Sequence, residues 1–208
     1  MRRTKQEAAA TREAVLDAAL TIFGRVGYAA ATLDDVARAA LVTRGAVYWH
    51  FGSKAELYAT LVTERFGRAT AAVLAAAADA TTPVAKLRSL LVATLTHLEV
   101  DRDYRAIVEL TIFKSEALPE IAGSLAAKRA AMQSQRELAA SLVADAKALG
   151  EVDADVDPPA VAITLLGLVN GLAILWLLDP EAFPLTAQAE QSIDLAMSAI
   201  TRHAGRDD

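Results

Sequence analysis

The stretch from Ala160 to Leu178 constrains the fold of this chain most strongly, because it contains no charged residue. A helix that is apolar on every side must be buried on every side, although a run of this length also approaches a membrane span. Asn170 lies in the middle of the stretch, and no basic flank marks a cytoplasmic end. The stretch therefore predicts a helix of a soluble protein, buried between its own domain and a partner subunit, with no membrane contact.

The last two predicted helices are expected to form the interface of a homodimer. Packing them against their symmetry mates would give a four-helix interface, and a pair of glycines four residues apart would let two helices approach closely. A single monomeric bundle is the alternative. The residues predicted to lie in the dimer interface are Gly167, Gly171, Leu175, Ile193 and Met197.

The rest of the chain also has the pattern of helices. Ala and Leu dominate and β-branched runs are scarce, which favours helix over strand. Pro83 and Pro158 stand where helices begin, and Gly27, Gly52 and Gly150 stand where helices end. The sequence therefore predicts an all-α protein of about nine helices, without a long linker or an internal repeat.

The N-terminal part of the chain has the pattern of a helix-turn-helix unit. Thr32 can cap a short helix whose first turn carries Asp34 and Asp35, and acids are favourable at that end of a helix. A further short helix begins near Thr43, after a tight turn at residues 40–43. A first helix is predicted from Thr11 to Val26 by the helical spacing of its apolar residues, and three helices joined in this way are typical of a DNA-binding head.

The distribution of charge agrees with such a head. Residues 1–54 hold an excess of Lys and Arg, whereas the whole chain has a net charge of −5, so only the N-terminal part is suited to a polyanion. We predict a DNA-binding domain at residues 1–54, of which residues 1–10 form a flexible basic arm. Residues 55–208 would form a second helical domain.

The second short helix of a helix-turn-helix unit enters the major groove, and its first residues reach the base edges. Arg44 can pair with guanine through two hydrogen bonds, and Gly45 lets the backbone approach the DNA closely. Thr43 can bond a phosphate as well as cap the helix, and Tyr48 and His50 can donate to phosphates. These residues are the DNA contacts that the pattern itself predicts.

The apolar residues of the same helix have different expectations. Val47 and Phe51 are four residues apart, which predicts that both belong to the core. Trp49 is left open between packing and contact with the DNA backbone.

Catalytic and metal chemistry have no support in the sequence. The chain has no cysteine, and its three histidines have the spacing of no metal site. No acid–base pair or nucleophile with its base can be identified. We expect no enzymatic activity, no metal and no cofactor, and the absence of cysteine fits a cytoplasmic location.

The run from Thr32 to Phe51 resembles the DNA-binding domain of the TetR family of bacterial repressors. Its second half, TRGAVYWHF at Thr43–Phe51, is similar to the branch of multidrug-efflux repressors related to AcrR. A weaker similarity continues through Phe113–Glu116 and Trp176–Phe183. The resemblance implies a homodimeric repressor that binds a near-palindromic double-stranded operator and is released by a small hydrophobic effector.

The resemblance also implies particular DNA contacts. By position they are Thr32, Thr43, Arg44, Gly45, Tyr48, His50 and Lys54. Leu41 is a departure, because the family commonly has glycine at this position of the turn. If its φ is positive, leucine costs roughly 1–2 kcal/mol there.

The resemblance further implies that the body at residues 55–208 binds the effector and dimerises. Asn170 needs a partner, since an unpaired buried amide costs about 1–3 kcal/mol, and that partner can be protein, water or ligand. The candidate ligand-binding residues are Leu91, Thr94, Leu95, Leu98, Ile107, Leu110, Phe113, Leu166 and Asn170. Two alternatives stay open: a TetR-like regulator of lipid or other metabolism with a different effector, and a helical adaptor that dimerises without binding DNA.

Overall fold

The computed structural model of the protein describes residues 5–114 and 119–201. Over these ranges the chain has nine α-helices, a short 3-10 turn at Pro119–Ile121 and no β-strand, which confirms the all-α prediction. The helices are α1 (Lys5–Ala30), α2 (Leu33–Ala39), α3 (Arg44–Phe51), α4 (Lys54–Ala76), α5 (Pro83–Val100), α6 (Arg102–Phe113), α7 (Ala122–Ala148), α8 (Pro158–Leu178) and α9 (Leu185–Ser198). Residues 1–4 of the predicted basic arm, and Ser115 and Glu116 of the weaker similarity, lie outside the described residues.

The chain forms two compact units. The first unit comprises Met1–Arg68 and Arg102–Lys128, and the second unit comprises Ala69–Asp101 and Arg129–Asp208. The predicted head at residues 1–54 lies within the first unit, together with α6. A domain boundary after residue 54 stays a prediction.

Helix α1 supplies much of the core of the first unit. Its apolar face, which includes the fully buried Leu16 and Phe23, packs against α2, α3 and α6. Gly27 interrupts the helix with φ 78°, a conformation that glycine adopts at little cost, and the sequence predicted a stop there. Beyond it, the buried ring of Tyr28 packs between Phe23 and Tyr58, with centroids 5.8 and 5.0 Å away.

Arg65 is a buried charge in the first unit, with 3% of its surface exposed. Its guanidinium donates to Glu13 Oε1 at 2.7 Å and to Asp17, and its Nε lies 3.8 Å from Asp103 Oδ2. Burial acts to raise the pKa of Glu13, but hydrogen bonds from Arg65 and Arg68 outweigh it and lower that pKa. Because a buried charge needs such partners, Arg65 on α4 is held against α1 and α6.

Helices α5, α8 and α9 pack together in the second unit. Leu95, Leu165 and Ile193 lie in their common core. Glu99 on α5 accepts hydrogen bonds from the backbone N–H groups of Leu185 and Thr186, at 2.8 and 3.0 Å. A carboxylate is favourable at the N-terminus of a helix, so Glu99 caps α9, which has no side-chain cap from its own N-cap residue.

Helix α8 is buried on one side only within a single chain. It is the one helix of the described residues that is long and apolar enough to cross a membrane, and one third of that window is buried. The outward side carries Ile163, Gly167, Gly171, Leu175 and Leu178, all of them exposed. Burial on every side, as the sequence predicted, would therefore require a further molecule against this face.

Two of the predicted interface residues are buried inside the second unit and do not lie on the outward face of α8. Ile193 is fully buried and Met197 nearly so, both inside the second unit, and α9 turns Leu195 outward instead. The side chains of Ile193 and Met197 thus pack within their own chain, and their contact with a partner subunit stays a prediction.

Candidate nucleic-acid interface

One face of helix α3 packs against α1 and α2, and the opposite face is exposed to solvent. Val47 and Phe51 are buried, as predicted, and with 3.6 residues per turn the opposite side carries Gly45, Tyr48 and Trp49, which are exposed. The backbone N–H of Ala46 donates to the side-chain Oγ1 of Thr43 at 3.3 Å, which confirms Thr43 as the N-cap. The helix is therefore an outward-facing element with a fixed beginning.

Arg44 lies at the first position of α3, at the edge of the exposed face. Its Nη2 donates to the hydroxyl of Tyr48 at 3.1 Å, and its guanidinium carbon lies 5.3 Å from the centre of that ring. Its Nη1 donates to Asp34 Oδ2 on α2 at 3.2 Å. The hydrogen bond to Tyr48 and the charge of Asp34 raise the pKa of Arg44 above its already high value, so the group stays a cation.

Trp49 is 75% exposed, which removes the packing alternative that the sequence left open. Its ring meets the ring of His50 edge-on, with the centroids 4.5 Å apart. An indole offers one N–H donor and a large apolar surface. Trp49 therefore gives the centre of the exposed face a large apolar surface, at a position that the predicted DNA-binding set did not include.

The turn between α2 and α3 has a positive φ at Leu41, the condition on which the predicted cost of leucine depends. Leu41 has φ 54° and is 92% exposed. The N–H of Leu41 donates to Arg38 O at 3.2 Å and that of Val42 to Ala37 O at 3.0 Å, which is the Schellman arrangement that usually places glycine where Leu41 stands. The left-handed conformation at this position is confirmed, while its energetic cost stays a prediction.

Thr32 and Lys54, two further predicted DNA contacts, have hydrogen-bond partners within the chain. The hydroxyl of Thr32 accepts from Asp35 N at 3.1 Å and the backbone N–H of Thr32 donates to Asp35 Oδ2 at 3.1 Å, which together form a capping box. Lys54 donates to three backbone carbonyls at the end of α1. Gly45 is not required by packing, because a Cβ there would meet Oγ1 of Thr43 at 4.0 Å and nothing nearer among the described residues.

The predicted ligand-binding residues are divided between the two units. Ile107, Leu110 and Phe113 belong to the first unit, the first two buried and the last exposed. The second unit holds Leu91, Thr94, Leu95, Leu98, Leu166 and Asn170. Asn170 is exposed and donates to Leu166 O at 2.7 Å, so its amide has a partner in its own helix and lies on the outward side of α8.

A surface cleft occurs elsewhere, between α1 and α6 of the first unit. It is lined by Asp17, Leu20, Thr21, Gly24, Arg102, Asp103, Ala106 and Glu109. None of these belongs to the predicted ligand-binding set, and three of them are acids. The position of an effector pocket therefore stays a prediction.

The fold and the exposed face of α3 define the class of the protein. A capped short helix, a tight turn and a second short helix with an outward arginine at its beginning form a helix-turn-helix unit, whose second helix is the element that enters a DNA groove. The protein is therefore a helix-turn-helix DNA-binding protein.

Comparison with known proteins places it more narrowly: the chain belongs to the TetR family of bacterial regulatory proteins. The family model described as bacterial regulatory proteins, tetR family, matches residues 15–61. The model described as MAATS-type transcriptional repressor, C-terminal region, matches residues 82–201. The resemblance seen in Thr32–Phe51 is thus confirmed and extends over most of the chain.

Individual relatives cover nearly the full length. The chain is 32% identical to the HTH-type transcriptional regulator TtgR of Pseudomonas putida, over 96% of each protein, and 31% identical to AcrR of Shigella flexneri, over 94% of this chain and 92% of the relative. Among solved structures it matches NalD, the secondary repressor of the MexAB-OprM multidrug efflux pump in Pseudomonas aeruginosa, with TM-score 0.81, 27% identity and coverage of 95% and 99%. A SmeT–triclosan complex matches with TM-score 0.81, 28% identity and coverage of 94% and 93%.

Proposed function

We propose that this protein represses an efflux or detoxification operon, and that it does so as a cytoplasmic homodimer bound to a near-palindromic operator. The observation that carries the proposal is the outward face of α3, with Arg44 at its first position and Tyr48 and Trp49 beside it. The similarity to NalD and SmeT, each described as the repressor of a multidrug efflux pump, supports the class of target.

The DNA contacts follow from the chemistry of that face. Arg44 would donate to the O6 and N7 atoms of a guanine, and Tyr48 would move with it, because the two side chains are hydrogen-bonded. Gly45 would let the helix backbone lie close to the base edges. Trp49 would place its ring against apolar groups in the major groove, such as a thymine methyl. Thr43 and His50, at the two ends of α3, would contact phosphates.

Dimerisation would bury the outward face of α8. Leu175 and Leu178 would supply apolar area there, and Gly167 and Gly171 would let the two α8 helices approach closely. An exposed apolar stripe of this kind is a typical protein–protein interaction site. Two linked heads would then read two half-sites about one DNA turn, roughly 34–36 Å, apart.

Release from the operator would come from a small hydrophobic effector. The solved complex of the similar protein SmeT contains triclosan, an apolar aromatic compound, which supports an effector of that chemical class. The effector can shift the balance between operator-binding and released conformations only by its difference in affinity for the two.

A gel-shift series on the DNA upstream of the protein's own gene tests the proposal. Wild-type protein should shift a duplex from this region, and Arg44→Ala should lose most of that specific affinity. Arg129→Ala is the matched control, because it removes the same charge from an exposed position in the second unit. Full specific affinity of Arg44→Ala would refute the proposed role of α3.

A further inference from the structure

The side chain of Lys54 is directed at the end of α1. Its Nζ lies 3.0 Å from Tyr28 O, 3.3 Å from Ala29 O and 3.1 Å from Ala31 O. It also lies 4.3 Å from the centre of the Tyr28 ring, as a cation over an aromatic face. An ammonium group has three N–H donors, so each donor can bond one of these three carbonyls.

The end of α1 needs such a group. The last carbonyls of a helix have no partner within the helix and carry partial negative charge. Gly27 interrupts α1 with φ 78° and ψ 165°, and residues 28–31, which follow this break, contain no basic residue that could satisfy their carbonyls. Lys54 supplies that cation from a different helix.

The position of Lys54 in α4 also indicates that its side chain serves to bond the carbonyls at the end of α1. It is the first residue of α4, where a cation is disfavoured because the N-terminus of a helix is itself partially positive. Its placement is therefore stabilised by the carbonyls of α1 and not by α4. It also stands close to the end of α3, after Gly52 with φ 71° and after Ser53, whose Oγ accepts from Glu56 N at 3.1 Å.

We propose that Lys54 is a positioning residue, which holds the junction between α3 and α4 against the end of α1 and thereby sets the angle at which α3 meets the DNA. It takes this role in place of the phosphate contact that the family resemblance implied. The proposal rests on the proposed DNA-binding face of α3, because it concerns how that face is presented.

The two roles of Lys54 differ in their dependence on salt. A lysine that neutralises a phosphate releases a counterion, so its loss reduces the slope of log K against log salt concentration by roughly 0.9. A positioning residue leaves this slope unchanged, but its loss weakens operator binding more than binding to unrelated DNA. The affinities of wild-type protein and of Lys54→Met should be measured by fluorescence anisotropy at several salt concentrations. Each protein would be titrated onto the operator duplex found in the gel-shift series and onto an unrelated duplex.

The expected result for Lys54→Met is a loss of about tenfold or more in operator affinity, an unchanged salt slope and a smaller loss on the unrelated duplex. Lys54→Arg should restore most of the operator affinity, because a guanidinium can also donate to several carbonyls. A slope reduced by roughly one phosphate, with equal losses on both duplexes, would overturn the proposal.

A measurement on the wild-type protein avoids any effect of the variants on folding. The 15N resonance of the Lys54 ammonium should show slow hydrogen exchange without DNA and should stay in place when operator is added. A shift to a phosphate-bound environment on addition of operator would contradict the positioning role. Arg44→Ala serves as the separate test of the α3 surface, so that failure of the proposed function is distinguished from failure of this inference.

Discussion

Arg44 Nη1 lies 3.2 Å from Asp34 Oδ2, so the arginine that begins α3 is paired with an acid at the beginning of α2. Both side chains are more than half exposed, and exposed pairs of this kind are weak and sensitive to salt. A guanine would therefore be able to replace Asp34 as the partner of Arg44, while the carboxylate would repel the phosphates of the bound DNA. Asp34 would make binding depend on a correctly placed guanine.

Asp34→Asn should weaken this discrimination. We expect affinity for unrelated duplex DNA to rise about threefold or more, because a nearby negative charge is removed, and affinity for the operator to rise less. The measurement is the ratio of operator affinity to affinity for the unrelated duplex, compared between wild type and variant at one salt concentration. Asp155→Asn, at an exposed site in the second unit, should leave both affinities unchanged, and an unchanged ratio in Asp34→Asn would show that Asp34 has no such role.

Gly45→Ala should have opposite effects on stability and on DNA binding. A Cβ at this position fits the free protein, so alanine should stabilise the helix by about 0.5–1 kcal/mol. The same methyl group would separate α3 from the base edges and reduce operator affinity. Gly123→Ala, also at the second residue of a helix with open space around it, should bring a similar stabilisation without a change in binding.

Leu41→Gly should stabilise the first unit. Since Leu41 has φ 54°, replacement by glycine removes a left-handed penalty of roughly 1–2 kcal/mol, offset in part by the greater flexibility of glycine in the unfolded chain. Thermal unfolding should show a melting temperature higher by about 2–4 °C per kcal/mol. Leu125→Gly, within α7, should lower it instead, and a lowered value for Leu41→Gly would show that the turn carries no strain.

Leu175→Arg should convert a dimer into a monomer. Leu175 is 60% exposed in the single chain, so the charge is tolerated there, whereas it would lie unpaired in an interface built on the outward face of α8. Leu149→Arg is the control, because Leu149 is similarly exposed at 68% but follows α7. Analytical ultracentrifugation that finds the same dimer in both variants would place the interface elsewhere.

Features that depend on a few neighbouring residues could be predicted from the sequence. Thr32 and Thr43 cap their helices, Gly52 ends α3 and Gly27 interrupts α1, because caps and left-handed glycines act through local interactions. The core positions Val47 and Phe51 also followed from helical spacing. The left-handed conformation at Leu41 was indicated by the family resemblance, in which glycine commonly stands at this position.

Features that depend on distant parts of the chain could not be predicted. Lys54 meets carbonyls on α1 and Arg65 meets Glu13 and Asp17, yet no spacing within the sequence indicates these pairs. A helix that is apolar all round also does not show which side faces its own chain. For α9 the choice between the face of Ile193 and the face of Leu195 was settled by packing against α5 and α8.

A double-mutant cycle tests most directly whether Arg44 binds a guanine of the operator. Operator duplexes carrying 7-deazaguanine at single positions lack the N7 acceptor, and each would be titrated with wild-type protein and with Arg44→Ala. At one guanine of each half-site the wild type should lose about tenfold in affinity, while Arg44→Ala, already weakened, should lose nothing further. Additive losses at every guanine would contradict the account.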